Sequence, residues 1–123
     1  MAFEFGMDEE AGFPVLCLEG SLMEKHQAED LMEEVQELLI EGSNNLILDL
    51  SNLNYLNSSG LNVLLNILTR ARNAGGEVII SGVNERLKNL LVITKLNAVF
   101  QFSENPGEAV KRLKTPDNPQ EQK

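Results

Sequence analysis

The chain has one cysteine, one histidine and almost twice as many acidic as basic residues: Asp and Glu number 19, Lys and Arg 10, giving a formal net charge of −9. Each scarcity removes a class of function. Cys17 alone cannot form an internal disulfide, and a reducing compartment is the simplest home for such a chain. His26 without a second histidine or a cysteine pair gives no metal-ligand spacing. The shortage of Lys and Arg argues against direct nucleic-acid binding, which needs clustered cations to displace phosphate counterions. No apolar run is long enough to span a bilayer, and the first residues lack a secretory pattern, so no membrane association and a cytoplasmic location are expected.

Catalytic signatures are also missing. A serine nucleophile needs a base within hydrogen-bond reach, and His26 is predicted on a different helix. There is no G-x-S-x-G elbow, paired-carboxylate pattern or G-x-x-x-x-G-K phosphate loop. The residues therefore suggest no enzyme, and no cofactor is expected.

The informative stretch is 46–76. Leu46-Ile47-Leu48-Asp49-Leu50 is dominated by aliphatics, the pattern of a strand buried on both faces. Ser51-Asn52-Leu53-Asn54 reads as a turn, and Tyr55-Leu56 as a return to the core. Asn57-Ser58-Ser59-Gly60 follows, and then a helix whose Leu61, Leu64, Leu65 and Leu68 recur at helical spacing, ended by Gly75-Gly76. Two accounts of the polar cluster stand together. Asn and Ser at a helix start accept hydrogen bonds from the unpaired first-turn N–H groups. An exposed hydroxyl in the same place is also a candidate modification site or contact surface, where the helix N-terminus favours an added phosphate.

Around this stretch, Phe3–Phe5 and Pro14–Glu19 read as a hairpin with Asp8–Gly12 as its turn, and Cys17 as a small core residue. A helix is expected from about Met23 to Glu41, with Ala28, Leu31, Met32, Val35, Leu38 and Leu39 inward. Glu77–Ser81 reads as a buried strand. Asn84 caps a third helix whose core face is broadened by Val92, Ile93 and Leu96. Val99–Phe102 reads as an edge strand, and Asn105-Pro106 starts a last helix, with Glu108 in the capping-box position. The strand–helix–strand order predicts an α/β domain with a mixed sheet of four to five strands and about four helices packed on it. One domain is predicted over residues 1–114, with a disordered tail at 115–123.

LDLSNLNYLNSSGLNVLLNILTRARNAGGEVIISGV resembles the core of the STAS domain, the fold of bacterial anti-sigma factor antagonists. The likeness lies in the order of an LDL strand, a D-S-S-G-like cluster, an apolar helix and a G-G-x-V strand start, and extends from about Val15 to Leu113. It implies a protein-interaction switch. The unphosphorylated antagonist binds an anti-sigma factor, often itself a serine kinase, and a serine phosphatase reverses the modification. Carried over position by position, the phosphorylated serine is Ser58, and the partner-binding residues are Ser21, Asn57, Ser58, Ser59 and Gly60. This chain departs from the pattern at Asn57, where Asp is usual, and at Ser21 and Met23, where Glu and Asp are common. The competing readings are a STAS interaction scaffold that is not phosphorylated, and a small-molecule (nucleotide) binding module.

Overall fold

A computed structural model describes residues 2–114; the tail expected at 115–123 lies outside the described residues. Five strands form one sheet in the order β1 (Phe3–Glu10), β2 (Phe13–Leu22), β3 (Asn45–Leu56), β4 (Glu77–Ser81) and β5 (Gln101–Ser103). β1 and β2 pair antiparallel, and every later pairing is parallel. The helices are α1 (Glu29–Ile40), α2 (Ser58–Asn73), α3 (Glu85–Ile93) and α4 (Pro106–Lys114). The mixed sheet and the helix set agree with the expectation from sequence.

Strand parity divides the core. Leu16, Leu18, Leu46, Leu48, Val78 and Ile80 point to the face covered by α1, α2 and α3. Val15, Ile47 and Ile79 point to the opposite face, where Ala109 and Val110 of α4 meet them. Successive side chains alternate across a strand, so a strand covered on both faces must be apolar at consecutive positions. That is why β3 opens with an unbroken aliphatic run.

Several boundaries differ from those expected. The hairpin is longer: Asp8, Glu9 and Glu10 lie in β1, and the turn is Ala11-Gly12, both with positive φ. The first helix is shorter, because a 3-10 turn over Lys25–Ala28 precedes α1. β5 begins two residues later than expected, after a 3-10 turn at Leu96–Ala98. Val92 and Ile93 are 50% and 76% exposed, not core. α3 has only nine residues and buries just Leu87 and Leu91, so residues one and two positions after Leu91 rotate off the inward stripe.

The main correction concerns Ser51–Asn54, which is strand and not turn. Between Cys17 and Glu19, β2 advances two residues while β3 advances three, Asp49 to Asn52. Between Gly20 and Ser21, β2 advances one residue while β3 advances two, Leu53 to Tyr55. Each extra residue is a bulge that resets which side chain points inward. The buried residues of this half of β3 are therefore Leu50, Leu53 and Leu56, spaced by three. A period of three matches neither a regular strand nor a helix, and the polar residues between read as a turn.

Candidate functional site

β3 ends at Leu56 and α2 begins at Ser58, so one residue, Asn57, makes the transition. Asn57 has extended backbone geometry, and its Oδ1 accepts a hydrogen bond from the Gly60 N–H at 3.0 Å. Its carbonyl accepts the Leu61 N–H at 2.8 Å. These are the bonds of a helix N-cap, as the capping account of the cluster required. Asn84 and Asn105 do the same work for α3 and α4, accepting from Leu87 and Glu108 at 2.8 and 2.9 Å. At its other end α2 closes through Gly75, at φ +90, with the Gly76 N–H returning to the Ala71 carbonyl at 2.8 Å.

Asn57 does more than cap. Its Nδ2 donates to the backbone carbonyl of Met23 at 2.8 Å. Met23 lies just past the end of β2, and its N–H donates to Gln27 Oε1 at 2.8 Å; the same oxygen accepts the Glu24 N–H at 2.9 Å. The start of α2 is thus tied to the segment linking β2 to α1.

The five residues assigned by resemblance occupy different environments. Ser58 and Ser59 are exposed in the first turn of α2, and Asn57 is half-buried. Gly60 is buried, and a Cβ there would run into the Leu22 carbonyl oxygen and the Leu56 side chain. Its lack of a side chain therefore serves the packing of α2 on β2. Ser21 is 3% exposed and belongs to β2, where its N–H donates to the Ala2 carbonyl at 3.1 Å. Gly20, Ser21 and Leu22 lie in β2, which runs three residues past the strand expected at Pro14–Glu19, and the connection to α1 begins at Met23.

Two residues outside the expected partner-binding set reach the surface here. Met23 is 40% exposed, and Tyr55, expected in the core, is 41% exposed. The guanidinium carbon of Arg86 lies 5.0 Å from the centre of the Tyr55 ring, a cation–π arrangement. Ser21, Met23, Glu24, His26, Gln27 and Tyr55 line an open depression of about 370 Å³. His26 Nδ1 lies 3.1 Å from Glu24 Oε1 within that rim. A signal for Tyr55 existed in its place two residues before the cap, between Leu53 and Leu56, but the bulges concealed it. Among the described residues no group of three His, Cys, Asp or Glu side chains could hold a metal ion, and no helix is long and apolar enough to cross a membrane.

Away from this end of the sheet, Cys17 is half-buried beside the α4 core. Burial, followed by the nearby carboxylates of Asp49, Asp8 and Glu19, pushes its thiol pKa up. Both causes disfavour the thiolate, which agrees with a core role.

Comparison with known proteins gives a consistent result. BtrV of Bordetella bronchiseptica, a candidate anti-sigma factor antagonist, is 27% identical over 109 residues, covering 89% of this chain and 93% of its own. An anti-sigma F factor antagonist of Paenibacillus polymyxa is 26% identical over 115 residues, covering 92% and 97%. Among solved structures, an anti-sigma factor antagonist from Mycobacterium paratuberculosis superposes with a TM-score of 0.75 at 16% identity, over 92% of this chain and 95% of its own. SpoIIAA in its unphosphorylated form gives 0.70 at 17% identity, over 90% and 98%. The STAS domain pattern matches residues 7–109, and with the five-stranded sheet and the helix opening at Ser58 already described, this chain belongs to the STAS domain family.

Proposed function

We propose that this chain is an anti-sigma factor antagonist that binds an anti-sigma factor through the surface around Ser58, and that reversible phosphorylation of Ser58 switches the binding off. The observation that carries the reading is the placement of Ser58, exposed at the first helical position of α2 directly after its cap. A serine kinase can reach that hydroxyl without unfolding the domain, and a serine phosphatase can reach the product. Relatives named as anti-sigma factor antagonists, matched over most of their length, support the class of partner.

The contact surface in this reading is the exposed pair Ser58 and Ser59, the edge of Asn57, and the apolar side chains of Met23 and Tyr55. Ser21 and Gly60 support it from beneath. A phosphate adds roughly −1.5 to −2 charges. In the free domain, the α2 dipole favours that charge by about 0.3–1 kcal/mol. Across a closed interface the anion must be desolvated, and a mismatched charge costs on the order of 2–5 kcal/mol. The second effect is the larger, so modification weakens binding by roughly 30- to 3,000-fold while the domain stays folded. SpoIIAA has been solved in unphosphorylated and phosphorylated forms, and both share this chain's fold, with TM-scores of 0.70 and 0.68.

The test is calorimetric titration of the anti-sigma factor from the same cell with unmodified and homogeneously Ser58-phosphorylated protein. The expected result is tight binding by the first and a loss within that range by the second. Equal affinities would favour an interaction scaffold that is not switched by phosphate.

A further inference from the structure

We infer that Asn57 is a positioning residue that locks the Met23–Gln27 segment to the start of α2, so that Met23 and Ser58 are presented as one rigid surface. The inference rests on the reading of this end of the sheet as the contact surface. The lock itself is a property of the free chain.

The geometry requires an amide. Oδ1 faces the Gly60 N–H, which only an acceptor satisfies. Nδ2 faces the Met23 carbonyl, which only a donor satisfies. One side chain therefore makes a helix cap and a long-range tie, between positions 34 apart in sequence. The Met23 backbone is held at both of its polar groups, its carbonyl by Asn57 and its N–H by Gln27 Oε1. Gln27 in turn holds the Glu24 N–H, and the Gln27 N–H returns to the Glu24 carbonyl at 3.1 Å. The segment thus has a fixed conformation built from four hydrogen bonds, and Asn57 is its one tie to α2 among them.

An aspartate at the same place would keep half of this. One carboxylate oxygen would still accept from Gly60, so α2 would start as before. The other would turn an acceptor toward the Met23 carbonyl, an acceptor against an acceptor, and the segment would be released. The identity of residue 57 therefore decides whether the surface beside Ser58 is one rigid body or two, while the cap itself is indifferent to the change.

Backbone amide hydrogen exchange on the free chain tests this, in the native protein, Asn57→Asp and Gln27→Ala at neutral pH. In Asn57→Asp, protection at Met23, Glu24 and Gln27 should fall by about tenfold, the weight of one hydrogen bond, while protection at Gly60 and Leu61 is kept. Gln27→Ala should release Met23 and Glu24 in the same way. A general loss of stability would lower protection at Gly60 and Leu61 in parallel, and that outcome would overturn the inference. So would unchanged exchange at Met23 and Glu24 in Asn57→Asp alongside release in Gln27→Ala. No partner enters the measurement, so either failure would strike the lock alone and leave the switch at Ser58 to its own titration.

Discussion

The Cα of Gly60 lies so close to the carbonyl oxygen of Leu22 that a methyl group at residue 60 would overlap it. This fixes the distance between the first turn of α2 and the end of β2. The obstacle is backbone oxygen, which cannot rotate aside as a side chain does.

Gly60→Ala and Gly60→Val are therefore expected to destabilise the domain. Overpacking of this kind costs about 1–3 kcal/mol, which exceeds the gain of roughly 1 kcal/mol from replacing glycine within a helix. Urea denaturation with a fixed slope would measure it, with valine worse than alanine. An alanine variant more stable than the native chain would show that the contact between α2 and β2 yields.

Phosphorylation of Ser58 is expected to leave the melting temperature unchanged or slightly raised. The phosphate sits on the positive end of a helix of sixteen residues, which contributes about 0.3–1 kcal/mol in its favour at low salt. Thermal melts of the homogeneous phosphoprotein at low and high salt would check the sign. A large fall in melting temperature would mean that the modification acts by unfolding the domain.

Cys17 is expected to react slowly with thiol reagents. Its pKa is raised by burial and by Asp49, Asp8 and Glu19, so at any pH near neutral less thiolate is present than on a free cysteine. The linkage has a definite sign. The folded chain holds the thiol proton more tightly than the unfolded chain does, so the contribution is fully present below the ordinary thiol pKa. It is lost as pH rises through the folded value. Stability measured across the alkaline range should decline more in the native protein than in Cys17→Ala.

Ser81 is fully buried in β4, and its hydroxyl has no hydrogen-bond partner among the described residues. A buried hydroxyl left unpaired costs about 1–3 kcal/mol. Ser81→Ala removes that cost with little change in volume and is expected to raise stability by about 1 kcal/mol in chemical denaturation. A destabilised variant would show that the hydroxyl is satisfied in solution.

Ile93, at 76% exposure, contributes little to the core. Ile93→Lys should change folding stability by no more than about 0.5 kcal/mol. Leu91→Ala, two residues earlier and fully buried, should cost about 2–5 kcal/mol. The contrast would confirm where α3 turns its inward face.

The sequence by itself determined the class of fold, the helix caps and the location of the cluster at 57–60. These features are written in local chemistry. Asn57, Asn84 and Asn105 cap because their side chains reach the nearby N–H groups, and an aliphatic run such as 46–48 must be covered on both sides. The tertiary structure alone decided which members of the cluster face outward. Gly60 is buried because β2 happens to end against it, and Ser21 because its strand continues further than its polarity suggested. The bulges in β3, which turn Tyr55 to the surface, exist only in the pairing of β3 with β2. The tie from Asn57 to Met23 spans residues far apart in the chain. Hydrogen bonds between distant segments leave no periodic trace, because each partner satisfies its local rules whether or not the other is near.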